Sequence, residues 1–210
     1  MGRRELQKRQ RREAMLGAAR RLFERQGYAR TTFEEIAVAA GVGVATVYKY
    51  FQCKDGIVVA LLEPDLERIL SAARKVIERL PADPARSMVR LLGAYAALGG
   101  GNWASRELLR LTVFPGLDNE GPLTRFVRTA DAATQAQIAE LLRRQQAAGR
   151  LHPRLPIADA TAVIFALLNQ HFGMFLFQGK MTYRRMFAQL SRRVRLVFAD
   201  WSAIPRRSSR

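Results

Sequence analysis

The chain has 210 residues but only one cysteine and two histidines, and these scarcities exclude several kinds of protein. A single thiol, Cys53, cannot form an intramolecular disulfide, so we expect a reduced, cytoplasmic compartment. One thiol and two imidazoles are too few for a metal site built mainly from these ligands, so we expect no metal and no cofactor. A glycine-rich phosphate loop and a nucleophile elbow are also missing. The sequence therefore predicts a protein that is not an enzyme.

Long, uninterrupted apolar runs are missing as well. Residues 1–12 are polar and basic, unlike a secretory signal. The most apolar stretch, residues 162–177, is interrupted by Asn169, Gln170 and His171. We expect this stretch to fall short of a membrane span, so the sequence predicts a protein with no membrane-spanning segment.

Positive charge is what the chain has in excess. It holds 35 Lys and Arg against 18 Asp and Glu, which gives a net charge of +17. Such a field attracts polyanions, and nucleic acid is the commonest of them, although a membrane surface or an acidic ligand remains open on charge alone. Residues 1–55 carry +6 and residues 56–210 carry +11, so charge does not locate the binding site.

Apolar residues recur at helical spacing, and no segment shows the alternation of a strand, so the sequence predicts an all-α fold. Residues 1–55 contain short predicted helices, residues 56–204 contain longer ones, and residues 205–210 form a basic tail that we expect to be disordered. Glycines and prolines separate the predicted helices. The first predicted helix ends at Gly27. The others span residues 32–40, 44–51, 56–80, 85–98, 103–114, 122–148, 157–177 and 182–201.

A helix-turn-helix is predicted in the first 55 residues. Thr32 and Glu35 stand at capping-box spacing at the start of a short helix. Gly41 ends this helix, and a second short helix follows in which Val47 and Phe51 face inward. Two short helices joined by a glycine-containing turn are typical of DNA-binding proteins, in which the second helix lies in the major groove.

The other faces of the second helix carry candidate DNA contacts. Thr46 and Tyr50, four residues apart, can hydrogen-bond to phosphates or base edges, and Lys49 and Lys54 can neutralise phosphates. Ala45 allows close approach to the bases, and Val44 can contact a thymine methyl group. A basic amino-terminal segment either follows the DNA backbone as an arm or is a solvated helix start; it contains Arg3, Arg4, Lys8, Arg9, Arg11 and Arg12.

This pattern, with its order and spacing, resembles the DNA-binding domain of TetR-family transcriptional regulators over about residues 10–60. The residues that carry the resemblance are Gly27-Tyr28, Thr31-Thr32, Ile36-Ala37, Ala40-Gly41-Val42, the run from Thr46 to Phe51, and Lys54-Asp55.

The resemblance implies roles for single positions. Thr32 would cap the second helix and bond a phosphate. Val44 and Ala45 would lie against bases, and the residues implied to touch DNA are Thr46, Tyr48, Tyr50 and Lys54.

Two positions depart from the family pattern. Gly43 replaces the usual Ser cap of the recognition helix, so we expect backbone or water to cap that helix at a small cost in stability. Tyr50 stands where His is also frequent, which leaves the base preference undefined. Cys53 occupies a loop position and is interpreted as incidental.

At the level of function, the resemblance implies a repressor that binds a palindromic double-stranded operator as a homodimer and is released by a small molecule. Residues 1–55 would bind DNA, and residues 56–204 would sense the ligand and dimerise. A ligand-independent DNA-organising or adaptor dimer on the same fold remains the alternative.

The predicted helix over residues 157–177 is apolar almost all round, so it must be buried on more than one side. The resemblance implies that it pairs with the final helix to form a four-helix dimer interface, although a purely intramolecular core helix remains open. An apolar or aromatic effector would lie among the middle helices. The candidate lining residues, each of which is also an ordinary core residue, are Trp103, Leu111, Phe114, Phe126, Asn169 and Phe172.

Overall fold

The computed structural model describes residues 2–96, 106–113 and 120–202, and within these ranges the protein is all-α, as predicted. The described ranges contain no strand, only an isolated bridge between Leu151 and Ser202. The predicted tail at 205–210 lies outside the described residues. The helices are α1 (Arg3–Gln26), α2 (Phe33–Ala40), α3 (Val44–Phe51), α4 (Lys54–Arg79), α5 (Pro84–Ala96), α6 (Arg106–Val113), α7 (Pro122–Ala147), α8 (Ile157–Phe177) and α9 (Tyr183–Trp201).

Local sequence signals define the ends of α2. The Thr32 hydroxyl accepts a hydrogen bond from the Glu35 N–H at 3.2 Å, and the Glu35 carboxylate accepts one from the Thr32 N–H at 2.9 Å. This reciprocal pair is the predicted capping box, which is confirmed. At the other end, Gly41 adopts a left-handed conformation with φ of 65° that favours glycine, and it ends the helix.

Helix α4 begins at Lys54, two residues before its predicted start. The chain turns tightly from α3 into α4, and a Cβ atom on Gly56 would lie only 2.6 Å from the carbonyl oxygen of Phe51. Real Cβ atoms do not approach backbone oxygen that closely, so this turn requires glycine at position 56.

The described residues form two compact units, which divide the chain differently from the predicted ranges 1–55 and 56–204. The first unit comprises Met1–Asp65 and Asn102–Arg128. Helix α6 belongs to it, and the Glu107 carboxylate accepts a hydrogen bond from the Tyr28 N–H at 3.1 Å. The functions predicted for the two ranges remain predictions. The core of α1, α2 and α3 consists of Met15, Ala18, Ala19, Leu22, Phe23, Phe33, Ile36, Ala37, Val47 and Phe51.

The second unit comprises Leu66–Gly101 and Thr129–Arg210. Its described residues come from the carboxyl-terminal part of α4, from α5, from most of α7, and from α8 and α9. Apolar side chains from each of these helices meet in one core. The fully buried members of this core include Ala73, Leu91, Leu92, Ile138, Ile164, Leu190 and Val194.

A buried polar network ties the loop between α4 and α5 to the end of α7. The Gln145 side-chain amide donates to the Pro81 carbonyl at 2.9 Å and to the Ser87 hydroxyl at 3.0 Å. The Arg150 guanidinium donates to the Pro81 carbonyl and to the Gln145 side-chain oxygen, both at 3.2 Å. Gln145 and Ser87 are buried, so these bonds satisfy polar groups that water cannot reach.

Helix α8 is strongly apolar despite its three central polar residues. Its 21 residues are long and apolar enough to cross a membrane by length and composition alone. The expectation that Asn169, Gln170 and His171 make it fall short by composition is therefore wrong, because the other residues of the helix keep its mean hydropathy high enough. The core helix of a water-soluble protein passes the same test. Helix α8 buries Ala160, Thr161, Ile164, Leu168, His171, Phe175 and Leu176.

Candidate nucleic-acid interface

Helix α3 has one buried face and one exposed face. Val47 and Phe51 are buried and anchor the helix in the first unit. None of the six residues of α3 that are predicted to contact DNA is one of these two buried residues. Their contact with DNA remains a prediction. Val44, Ala45, Tyr48 and Lys49 are exposed, and Thr46 and Tyr50 are half-buried.

The two tyrosines of α3 combine packing with exposure. The Tyr48 ring meets the Phe33 ring edge-on, with centroids 4.5 Å apart, yet the residue remains 51% exposed. The Tyr50 hydroxyl lies 3.5 Å from the carbonyl oxygen of Lys8 on α1. Each tyrosine is therefore braced by another helix, which limits the rotamers from which it can contact a ligand.

The start of α3 lacks a side-chain cap, as the glycine at position 43 predicts. Gly43 has no side chain with which to cap α3, and its carbonyl accepts a hydrogen bond from the Thr46 N–H at 2.9 Å. The start of α2 differs, because Thr32 is exposed and its hydroxyl caps the helix. Hydrogen bonds from the Gln26 side chain and from the Thr32 backbone lower the pKa of Glu35, so this carboxylate is ionised at neutral pH.

Lys54 lies against the turn between α1 and α2. Its ammonium donates to the carbonyl of Tyr28 at 3.1 Å and to that of Ala29 at 3.2 Å. The same ammonium lies 4.7 Å from the centroid of the Tyr28 ring. The Tyr28 hydroxyl donates to the Asp55 carboxylate at 2.6 Å. Burial and the neighbouring carboxylate raise the pKa of Tyr28, so its hydroxyl remains a donor.

The basic amino-terminal segment is helical, and whether it follows the DNA backbone as an arm remains a prediction. Helix α1 begins at Arg3, and the basic side chains of its first turns are exposed. Arg9 forms an exposed ion pair with Glu13 at 3.6 Å. The Arg12 guanidinium carbon lies 5.9 Å from the centroid of the Phe51 ring. The charge thus lies on a helix that packs against α3.

The predicted effector residues are spread over the chain. Trp103 and Phe114 lie outside the described residues. Leu111 and Phe126 are half-buried in the first unit. In the second unit, Asn169 is exposed on α8, whereas Phe172 is half-buried with its ring centroid 6.4 Å from that of Phe175.

The second unit also contains a groove of about 360 Å³ between α4 and α7. None of the six predicted effector residues contributes to it, so the effector site remains a prediction. The residues that line this groove are Leu70, Ser71, Arg74, Ala133, Ala136, Gln137 and Glu140.

His171 is a core residue whose partners belong to its own chain. It is 1% exposed, and its Nδ1 atom lies 2.6 Å from the Leu167 carbonyl oxygen. Its Nε2 atom contacts the Arg193 guanidinium. Burial first, and then the charge of Arg193, lower the pKa of His171, so the imidazole is neutral at pH 7. In the described part of the chain, no cluster of three or more His, Cys, Asp or Glu side chains could hold a metal ion.

Residues 15–61 match the family model described as bacterial regulatory proteins, tetR family. The transcriptional regulator EthR of Mycolicibacterium smegmatis is 34% identical over 77 residues, which are 37% of this chain and 36% of the relative. The transcriptional repressor Rv1474c of Mycobacterium tuberculosis is 29% identical over 146 residues, which are 70% of this chain and 72% of the relative. The chain covers little more than a third of the length of the first curated relatives that it matches.

The likeness to solved structures covers almost the whole chain. The regulator FadR of Bacillus subtilis, solved in complex with stearoyl-CoA, superposes with a TM-score of 0.69 at 16% identity. The superposition covers 90% of this chain and 98% of that one. At this identity the superposition shows a shared fold. Together with the helix-turn-helix geometry, the match over residues 15–61 shows that this segment is similar to the tetR family of bacterial regulatory proteins.

Proposed function

We propose that the protein is a ligand-responsive transcriptional regulator, most commonly a repressor in this family, that binds a palindromic DNA operator as a homodimer. The observation that carries the proposal is the two-faced recognition helix. Val47 and Phe51 anchor α3, and the side chains on its other faces suit contacts to phosphates and base edges. This activity would place the protein in the cytoplasm.

Selection of bound duplexes from random DNA by the full-length protein tests DNA binding. The expected product is a palindrome whose half-sites are about one helical turn apart, because a two-fold dimer reads two equivalent grooves. Footprinting of the selected duplex should protect both half-sites. Protection of one unpaired half-site would contradict dimeric binding, and enrichment of no sequence would contradict operator recognition.

Exposed apolar residues on α8 and α9 support the proposed dimer. Leu196 on α9 is 73% exposed, and Phe177 and Val163 on α8 are 51% and 43% exposed. Exposed leucine and phenylalanine side chains on neighbouring helices are typical of a surface that a partner covers. A second copy of α8 and α9 would remove them from water and form the four-helix interface of the proposed dimer.

Sedimentation of the Leu196→Lys variant tests the interface. Burying an unpaired ammonium in an apolar interface is costly, so the variant should shift toward monomer at concentrations where the native chain is dimeric. Val38→Lys is the matched control, because Val38 is exposed on α2, which belongs to the first unit and not to the unit that contains α8 and α9. Monomeric native protein, or equal dissociation of both variants, would contradict the interface.

The effector is proposed to be an apolar, aromatic or weakly acidic molecule that binds among the helices after α4. The excess of positive charge and the acyl-CoA bound to the related FadR fold support this chemistry. A hundredfold loss of operator affinity requires roughly 2.7 kcal/mol of coupling, so the effector must bind the released state better by that amount.

A thermal-shift screen with fatty acids, acyl-CoA thioesters and aromatic acids, followed by operator titration, tests the response to ligand. A compound that raises Tm should also weaken operator binding. Compounds that bind tightly and leave operator affinity unchanged would favour the ligand-independent adaptor.

A further inference from the structure

Helix α9 presents a second row of side chains beside the face that it buries in the core. The row repeats at intervals of four, three and four residues, which is the spacing of a coiled-coil seam. Its own chain covers the row only in part, because two members are half-buried and two are exposed. We name this row the α9 seam, and its members are Gln189, Arg193, Leu196 and Asp200.

The α9 seam carries opposite charges on the two sides of an apolar centre. Leu196 is 73% exposed, Arg193 precedes it by three residues, and Asp200 follows it by four. The two charged residues are two helical turns apart, so they are not neighbours on the helix surface. In the described part of the chain, neither of them has an ion-pair partner. The seam is therefore chemically complementary to a second copy of itself that runs in the opposite direction.

His171 on α8 holds the Arg193 guanidinium in place. The Nδ1 atom of His171 lies 2.6 Å from the Leu167 carbonyl oxygen, so its Nε2 atom is the one that accepts a hydrogen bond from Arg193. A guanidinium has five N–H donors, and this contact uses one of them. The imidazole thus orients Arg193 without neutralising its charge, and the remaining donors can bind a carboxylate.

We propose that Arg193 of one subunit binds Asp200 of a second copy, and that the two equivalent ion pairs set the register of the α9 helices in the dimer. The proposal rests on the homodimer proposed above. In a two-fold interface, each contact between two different residues occurs twice. An antiparallel α9 pair whose two-fold axis passes between Leu196 and Val197 brings each Arg193 opposite an Asp200, because both residues are equally far from that point.

The position of Asp200 favours a cation from another subunit. Asp159 and Asp200 are the only acidic residues of α8 and α9. Asp159 lies in the first turn of α8, where the helix dipole stabilises a carboxylate, whereas Asp200 lies in the last turn of α9, where the dipole disfavours one. Covering Leu196 would also remove water from Arg193, and a guanidinium without water needs an anion. The ion pair satisfies both charges at once.

Mixing two charge-reversal variants of the full-length chain tests the pair. Asp200→Arg brings like charges together in its homodimer, and so does Arg193→Asp. Each variant alone should therefore dissociate at a concentration about tenfold or more above that of the native chain. In the mixed dimer, one contact is native and the other has its charges exchanged. Sedimentation of the mixture should show dimers at concentrations where each variant alone is monomeric.

Arg192→Asp is the matched control, since Arg192 is exposed on α9 and does not belong to the α9 seam. It should dimerise like the native chain, and it should not rescue Asp200→Arg. A mixture that stays monomeric, or equal rescue by Arg192→Asp, would overturn the ion pair. Asp200 is exposed, so Asp200→Arg alone decides if Arg193→Asp does not fold, and native dimerisation of that variant would overturn the pair.

The proposed dimer and the proposed ion pair fail in different ways. A native chain that is monomeric would contradict the dimer, and the ion pair with it. A native dimer that dissociates in the Leu196→Lys variant but is unchanged by Asp200→Arg would keep the interface and overturn the ion pair alone.

Discussion

The Nε2 atom of His171 on α8 meets the guanidinium of Arg193 on α9, and the Nδ1 atom of the same ring meets the Leu167 carbonyl oxygen. Both ring nitrogens are therefore engaged when the imidazole is neutral: Nδ1–H donates to the carbonyl, and Nε2 accepts from the arginine. Protonation of Nε2 would place two positive charges against each other in a buried position.

Acidification should therefore destabilise the protein through His171. Its folded pKa lies below the usual 6.5, so the unfolded chain binds the proton more tightly. The contribution of His171 to the free energy of unfolding is fully present above pH 6.5. It is lost as the pH falls from 6.5 toward the folded pKa. Chemical unfolding between about pH 8 and about pH 5.5 should show this loss.

The two histidines of the chain provide the control. His171→Gln should be less stable at all pH values but should lose the pH dependence, whereas the exposed His152→Gln should retain it. Native stability that is flat over this range, or a pH dependence that follows His152, would contradict the assignment.

Substitution of Gly56 should destabilise the first unit. The new Cβ of Gly56→Ala would lie 2.6 Å from a backbone oxygen, which cannot move aside as a side chain can. The expected loss is about 1–3 kcal/mol of unfolding free energy. Gly179→Ala is the control, since no heavy atom lies within 4 Å of its Cβ position. Equal stabilities of the two variants in a denaturant titration would refute the steric explanation.

A serine at position 43 should stabilise α3. Gly43 has φ of −72° and ψ of 146°, which serine adopts without strain, and the nearest side-chain atom to its Cβ position is 4.0 Å away. The new hydroxyl can accept an amide of the first turn, so Gly43→Ser should gain a few tenths of a kcal/mol. Gly43→Ala lacks that hydroxyl and should not gain from capping. If alanine stabilises as much as serine, lower flexibility of the unfolded chain is the cause.

Loss of the Gln145 side-chain amide should lower the free energy of unfolding, because it leaves the buried polar network incomplete. Gln145→Leu removes partners of the Pro81 carbonyl, the Ser87 hydroxyl and the Arg150 guanidinium. The expected loss is roughly 1–3 kcal/mol of unfolding free energy, since buried polar atoms would lose partners. Gln7→Leu, at an exposed position of α1, should change stability by less than about 0.5 kcal/mol. Similar values for both variants would show that the network contributes little.

Local signals predicted most of the helices because they act within a few residues. The Thr32–Glu35 capping box, the left-handed Gly41 and the inward pair of Val47 and Phe51 are readable in the sequence, and the structure contains each of them. The start of α4 was placed two residues late, because Lys54 and Asp55 resemble loop residues when their contacts are unknown.

Contacts between distant residues could not be predicted in this way. Lys54 looked like a free cation because its partners, Tyr28 and Ala29, lie about 25 residues earlier. Glu107 and Tyr28 are 79 residues apart, and no periodicity links them. Burial also decides the role of a polar residue in an apolar helix. Asn169 and His171 are two positions apart, yet the first is exposed and the second is buried.

The hydrogen bond between Glu107 and Tyr28 limits how this protein can be recombined with its relatives. Helix α6 lies far along the chain but belongs to the same compact unit as α1, α2 and α3. A chimera joined near residue 55 would keep Tyr28 from one parent and take α6 from the other. The donor parent would then have to supply a carboxylate opposite the Tyr28 amide. The compact unit that contains the predicted DNA-binding helix is therefore not contiguous in the chain, and residues 106–113 have to be inherited with it.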